Sequence, residues 1–249
     1  MEMAESNLTH ADLSGLETLE LFSEAGRFNG WMFERIRGHC RGAVLEIGSG
    51  IGNMSAYLVD HFADVTLSDM QPEYCRRLRR DFGERSSLRD IFSVDLAAVD
   101  FERAYPQLLG RFDTVVALNV VEHIDDHELA IRNAHRLLRN GGRLVILVPA
   151  YPWLYNSLDR ELGHFRRYTK KSLERLLSGE RLRVVEMGFF NAAAIGGWWL
   201  AGSVLRMNKI KKGLLNLYNS LVGVMRLADK VVGRRIGLSI IVVATNEKK

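Results

Sequence analysis

Two periodicities alternate along the chain. Short runs of apolar and β-branched residues at 43–47, 64–67, 90–94, 112–118, 143–148, 182–186 and 238–244 have the length and composition of buried strands. Between them the apolar positions fall three and four apart, as on amphipathic helices. Ala56, Leu58 and Val59 follow the first run in this way; Pro72 opens a helix over 72–82; Leu173, Leu176 and Leu177 face inward after Thr169, a plausible N-cap. Asp125 with Glu128 has capping-box spacing for a helix that runs through Leu138, and Asn140-Gly141-Gly142 is a left-handed stop before the next strand. Ahead of the first strand, Leu16, Leu19, Phe22, Phe28, Met32 and Ile36 predict a helix pair interrupted near Gly26 or Gly30. This alternation predicts an α/β fold on a mainly parallel sheet.

The first strand ends in Glu46-Ile47-Gly48-Ser49-Gly50-Ile51-Gly52-Asn53. Glycines at alternate positions let a backbone turn tightly and approach a ligand closely, which makes a nucleotide-type cradle. A dinucleotide fingerprint needs its third glycine where this chain has Asn53, and it has no Glu before the first glycine. The Glu46 and G-x-G-x-G pattern instead resembles motif I of the class I S-adenosylmethionine (SAM)-dependent methyltransferases. That resemblance extends over most of the chain, from Val44 to Val243. It implies a Rossmann-like, seven-stranded sheet of order 3-2-1-4-5-7-6 with strand 7 antiparallel, SAM as cofactor, and the loop residues Glu46, Gly48, Ser49, Gly50, Gly52 and Asn53 around its methionine part.

Asp69 ends the second run at the separation where doubly wound folds hold an acidic side chain against ribose hydroxyls, with Met70 beside it; capping the helix that Pro72 opens is the competing reading. Asp95, at the end of the third, is the adenine candidate, with the Leu96 backbone at the ring edge. The fourth run leads into Asn119, Val120, Glu122 and His123, which line the same crevice because ligands of open parallel sheets bind at the carboxyl ends of the strands. A Glu-His pair at this point is common in the family resembled. His123 lies near cofactor or substrate, or else holds the loop. Phe28, Asn29 and Trp31 form a candidate cover over the cofactor, with plain core packing as the alternative. His123, Asp125, Asp126, His127 and Glu128 have the look of a metal cluster, but helix capping accounts for most of the acidity, and no metal is expected.

The connection 150–168 is too long for a plain loop and carries Tyr151, Trp153, Tyr155, Asp159, His164, Arg166, Arg167 and Tyr168, so it is read as the substrate wall. Tyr151, Trp153, Arg166 and Tyr168 are its substrate-binding candidates. His164 and Tyr168 serve either as a clasp or on the substrate; Arg166 and Arg167 hold an anion or pair with Asp159 or Glu161. His164, His123 and a relay through Tyr155 are the candidate bases for an oxygen acceptor. The sequence does not choose between an oxygen, a nitrogen and a carbon acceptor.

An insertion precedes the last strand. It contains an uncharged stretch with Trp198 and Trp199, followed by Arg206, Lys209, Lys211 and Lys212. Three readings stand: a cap over the substrate, a homodimer surface, or peripheral membrane contact. Leu214, Leu217, Tyr218, Leu221, Met225 and Val232 mark a second apolar helix expected to bury the first, which favours the cap. The expected organisation is one domain, with an N-terminal helical cover at 1–38, a cofactor-binding core at 39–188, a helical cap at 189–236, and the last strand and tail at 237–249.

Composition adds limits. With 249 residues, 47% of them hydrophobic, the chain can bury one large core. Its 34 basic and 30 acidic residues are close to balance, and the Asp/Asn-Pro-Pro-aromatic signature of enzymes that methylate base amines is absent. A small-molecule substrate is expected and nucleic acid is not. The two cysteines are too few for a disulfide framework, and 1–10 has no basic-then-apolar pattern, so a cytoplasmic protein is expected.

Overall fold

A computed structural model describes residues 10–246, with side chains from residue 15 onward. Seven strands, β1 (Val44–Ile47), β2 (Val65–Asp69), β3 (Leu88–Ser93), β4 (Phe112–Leu118), β5 (Leu138–Pro149), β6 (Leu182–Phe190) and β7 (Ser239–Asn246), form one sheet. Its order is β3-β2-β1-β4-β5-β7-β6, and β7 runs antiparallel to both β5 and β6. This is the topology implied by the glycine-loop resemblance. Both faces are covered, so β1 is buried at all four positions, and side chains alternate between two cores. Leu45, Ile47, Val115, Ala117, Leu144 and Ile146 face one side, while Val44, Val116, Val145 and Leu147 face the other.

The helices are α1 (His10–Ser23), α2 (Gly26–Ile36), α3 (Ser55–His61), α4 (Pro72–Phe82), α5 (Phe101–Ala104), α6 (His127–Leu137), α7 (Ser157–Glu161), α8 (Lys170–Gly179), α9 (Ala194–Trp198), α10 (Lys212–Ser220) and α11 (Val222–Val231). α2, α3 and α4 pack on one face, α6 and α8 on the other. Arg76 and Arg80 on α4 are exposed while Cys75 and Leu78 enter the core, and Arg79 bends back to donate to the Ile91 carbonyl at 2.6 Å. Thr169 caps α8, with Ser172 completing a reciprocal box.

Several expectations are corrected. The cap of α6 is Asp126, which accepts from the Leu129 N–H at 2.9 Å, and not Asp125, whose carboxylate is drawn away by Arg166. β5 starts at Leu138 because its pairing with β4 slips between Phe112 and Thr114, carrying the Asn-Gly-Gly stop inside the strand. β6 runs on to Phe190, pairing with β7 through Ser239, so the first residues assigned to the insertion belong to the sheet. Within the insertion α10 and α11 pack against α2 and do not bury the segment before them: Leu214, Leu217 and Leu221 are exposed. No helix among the described residues is long and apolar enough to cross a membrane.

Candidate active site

The crevice lies at the carboxyl edge of β1 to β5. After β1 the backbone adopts positive φ at Gly48 (70°), Gly50 (53°) and Gly52 (94°), the region open to glycine. A side chain at Gly48 would press on Val120 after β4, its Cβ 2.5 Å from a methyl carbon, and one at Gly52 would overlap Phe82 of α4. The loop is thus wedged between its neighbours as well as turned.

Short side chains fix it. Ser49 donates from its hydroxyl to Glu46 at 2.9 Å and Ser55 donates to the same oxygen. Glu46 is fully enclosed; burial, opposed by the two serine hydrogen bonds, pushes its carboxyl up to about 7. Glu46 therefore braces the loop from inside, a role one step removed from the cofactor contact its motif implies. Asp69 accepts from the Gly50 N–H at 2.8 Å and from the Gln71 N–H at 2.9 Å, which brings the tips of β1 and β2 together. The Val94 N–H donates to the Asp69 carbonyl at 3.1 Å and adds the tip of β3. Asp95 is half-buried and accepts from the Ala97 N–H at 2.7 Å, while buried Asn133 holds the Leu96 carbonyl at 2.8 Å. Met70 and Asn119 are exposed at this edge, Asn119 with φ of 54°. The sequence-predicted cofactor residues converge, with two exceptions. Trp31 is buried in the core against Phe190, ring centroids 4.5 Å apart, because α2 packs its apolar face onto the sheet. Asn53 spends its amide on the Leu19 carbonyl at 2.8 Å. Leu19 itself lies over Gly50, so α1 is the covering element and Phe28, Asn29 and Trp31 are not.

The connection 150–168 folds into a clasp. Ala150 and Tyr168 form an isolated parallel bridge, and the Phe165 N–H donates to the Glu122 carbonyl at 2.8 Å. Its centre is Asp159, buried, with His164 Nδ1 at 2.9 Å, Arg167 Nε at 2.8 Å and the Asn156 N–H at 3.0 Å. Burial acts to raise this carboxyl's pKa, but the His164 hydrogen bond and the Arg167 charge outweigh it and hold it below the ordinary value. The Arg167 guanidinium also lies 4.8 Å from the Trp198 ring, tying the clasp to the insertion.

That network reassigns three residues. Tyr168 is fully buried, its hydroxyl between His127 Nδ1 (3.0 Å) and the Val121 carbonyl (3.4 Å), so it holds the loop after β4 and meets no substrate. Arg166 pairs with Asp125 at 2.9 Å and is a strut, not an anion site. Tyr155 donates to the His164 carbonyl at 2.7 Å, so its hydroxyl is a tie within the clasp and not a proton relay. Trp153 is exposed, and Tyr151 stacks on Phe189 with φ of 63°.

The group suspected as a metal cluster disperses: Asp126 caps α6, Asp125 meets Arg166, and His127 meets Tyr168. In its place Glu122, His123 and His164 come together, one ligand atom from each lying within 4.8 Å of the others. The His123 and His164 rings meet edge to face at 4.7 Å. His123 reaches solvent, yet burial of its ring, with His164 second, lowers its pKa to about 4. Glu122 has no exposure and neither carboxylate oxygen has a hydrogen-bond partner. Its adjacency to His123 was visible in the sequence; its isolation from solvent was not.

The residues from 17 to 186 match the methyltransferase domain family. A ubiquinone biosynthesis O-methyltransferase of Pseudomonas aeruginosa is 29% identical over 155 residues, covering 57% of this chain and 63% of that protein, so the match leaves more than a third of the relative unspanned. A second such protein, from Xanthomonas oryzae pv. oryzae, is 33% identical over 103 residues, 41% of either chain. Among solved structures, the Haemonchus contortus phosphoethanolamine N-methyltransferase 2 in complex with S-adenosyl-L-methionine superposes with a TM-score of 0.60 at 15% identity, covering 98% of this chain and 59% of that one. The YcgJ protein of Bacillus subtilis gives 0.56 at 16% identity, covering 89% and 98%. At these identities the structures attest the fold.

Proposed function

The chain belongs to the methyltransferase domain family, and from that premise we propose that it transfers the methyl group of SAM to a small-molecule acceptor, with oxygen favoured over nitrogen. The observation that carries this reading is the meeting of three strand tips at one crevice, where Gly50, Asp69 and the start of the Asp95 turn are joined by hydrogen bonds. The donor set suits the cofactor. Asp69 retains free lone pairs for ribose hydroxyls, Asp95 stands at the adenine end, Met70 offers an exposed apolar side chain, and the glycines leave room for a close backbone approach. Bound there, SAM supplies an electrophilic methyl carbon on a sulfonium.

The residues of this chain then have to place a nucleophile in line, exclude water and remove one proton. Wedged glycines and the Glu46 brace give the rigidity that positioning demands. Trp153 and Tyr151 wall the acceptor side. For an oxygen acceptor the proton passes to the imidazole of His123, which is exposed to solvent beside His164 on the turn after β4. His164 is less free, since its Nδ1 is committed to Asp159. The products are the methylated acceptor, S-adenosylhomocysteine and a proton. Calorimetry with SAM and S-adenosylhomocysteine, followed by incubation of radiolabelled SAM with a metabolite extract, tests the proposal. Absence of heat with both nucleosides overturns it.

A second reading concerns where the acceptor is met. Leu214, Leu217, Leu221, Val224, Leu227 and Val231 are all exposed at helical spacing along α10 and α11. Lys211, Lys230, Arg206 and Arg235 flank this stripe without a carboxylate partner in any ion pair among the described residues. Apolar stripe and free cations together suit the surface of an anionic bilayer. We infer a cytoplasmic enzyme that rests there through its insertion. Sedimentation with phosphatidylglycerol vesicles at low salt, abolished by Leu227→Glu, is the expected result. A homodimer broken by the same substitution, with no vesicle binding, overturns this in favour of an interface between copies.

A further inference from the structure

We propose that Glu122, His123 and His164 form a binding site for a divalent first-row transition metal ion of the zinc type. The three groups reach one point from two distant parts of the chain. Glu122 and His123 lie on the short turn after β4, and His164 comes from the clasp, which the Phe165–Glu122 backbone hydrogen bond presses against that turn. One ligand atom from each lies within 4.8 Å of the others.

The independent observation is Glu122. Its carboxylate has no solvent exposure, and both oxygens lack a hydrogen-bond partner. Carboxylates removed from water are paired, coordinated or neutralised, because an isolated buried charge costs many kcal/mol. Burial pushes this carboxyl up to about 8; the Arg167 charge opposes that only in part, since its donors go to Asp159 and to the Ala150 carbonyl, so without a further cation Glu122 is left protonated and without a partner. A cation between Glu122 and the two imidazoles supplies the missing partner.

The surroundings have the form that holds ligand histidines. A metal-bound imidazole gives its other nitrogen to a carboxylate or a backbone carbonyl, which fixes the ring and its tautomer. Asp159 meets His164 at Nδ1, and so leaves Nε2 as the donor. Asp159 is itself locked by Arg167 and Asn156. Two imidazoles and one carboxylate, with no thiolate, suit zinc, cobalt or ferrous iron over magnesium or calcium, which take oxygen ligands. Three protein ligands leave a coordination position open. Metal–ligand bonds of about 2.0–2.2 Å require the donors to draw in by roughly 1–2 Å, a movement open to the solvent-facing His123.

An ion here would have an open position able to hold the acceptor oxygen and make it more acidic. The proton of that hydroxyl would then pass to solvent, which reaches the exposed His123, because a metal-bound His123 could not take it. That consequence rests on the methyl-transfer reading; the binding site does not.

The test uses the full chain, stripped with chelator and dialysed against zinc or cobalt(II). The expected result is one zinc per chain by atomic emission, with a cobalt(II) visible spectrum of four- or five-coordinate intensity. Glu122→Gln, which keeps the side-chain shape, and His164→Ala should each weaken zinc binding by at least about tenfold. His39→Ala, remote from the site, should leave it unchanged. SAM affinity of the stripped protein is measured in parallel and should persist, so loss of metal binding and loss of the methyl-transfer reading are read separately. A substoichiometric zinc content, a cobalt spectrum of the hexa-aquo ion, or full binding by both Glu122→Gln and His164→Ala overturns the site.

Discussion

The two halves of the crevice are built by different means. On the β1–β3 side the chain uses backbone and short side chains: positive-φ glycines, two serines on Glu46, and Asp69 bridging two N–H groups. The partners are near in sequence or on adjacent strands in register, so the loop is largely made once β1 and β2 pair. On the β4–β5 side the crevice is closed by long side chains from one excursion of the chain, gathered on a buried carboxylate and pinned to the turn after β4. The first half is a rigid cradle that leaves little to choose. The second is an assembly whose members depend on one another, and in the proposed function it is the side that meets the acceptor, where relatives of one fold differ.

Breaking the clasp should have the largest effect. Asp159→Ala leaves the Arg167 guanidinium buried without its partner, and should cost about 3–5 kcal/mol in urea unfolding, with hydrogen exchange rising first over 150–168. A loss confined to a few tenths of a kcal/mol would show that the clasp is not cooperative. The cradle should respond to pH. The folded-state pKa of Glu46, raised by burial to about 7 from 4.5, means that its protonated form is the favoured one on folding. Its stabilising contribution is complete below pH 4.5 and fades as pH rises through 7. Glu46→Gln, which removes the titration, should therefore gain on the native chain by up to about 3 kcal/mol between those limits, measured as the difference in unfolding free energy at each pH. A flat difference would mean that the carboxyl is already ionised at low pH.

Gly48→Ala sharpens the contrast from the cradle side. It forces a side chain into φ of 70° and against Val120, and should cost about 1–2 kcal/mol while weakening SAM binding. The smallest expected change is Tyr155→Phe. It removes one hydrogen bond to the His164 carbonyl, worth about 1 kcal/mol, and SAM affinity should not move. If it did, the halves would be coupled more tightly than their separate hydrogen-bond sets imply.

The two halves also differed in how far the sequence revealed them. The strand positions, the glycine loop and the positions of Asp69 and Asp95 were legible because they follow from periodicity and from spacing along one strand–turn–helix unit, while the strand order came from the family resemblance that the glycine loop carries. Trp31 stood open between cover and core because an apolar aromatic on a helix satisfies both in one dimension; packing against Phe190 decides for the core. The sequence leaves Tyr168 between clasp and substrate and Arg166 between anion holder and ion pair, and offers Tyr155 as a relay, because nothing local shows that His127, Asp125 and the His164 carbonyl already occupy them. On α10 and α11 the helical spacing was legible, but apolar residues lie on both sides of the helices and the sequence could not say which side faced out.

The chain's own order of residues determined the α/β fold, the cofactor cradle and the candidate chemistry, because each depends on intervals of a few residues to about twenty, the reach of one strand and its crossover. The tertiary structure decided which polar side chains remain free to act. A side chain's availability is set by what distant segments bring to it, and around Glu122 the fold gathers His164 beside His123 while leaving both carboxylate oxygens without solvent or a hydrogen-bond partner.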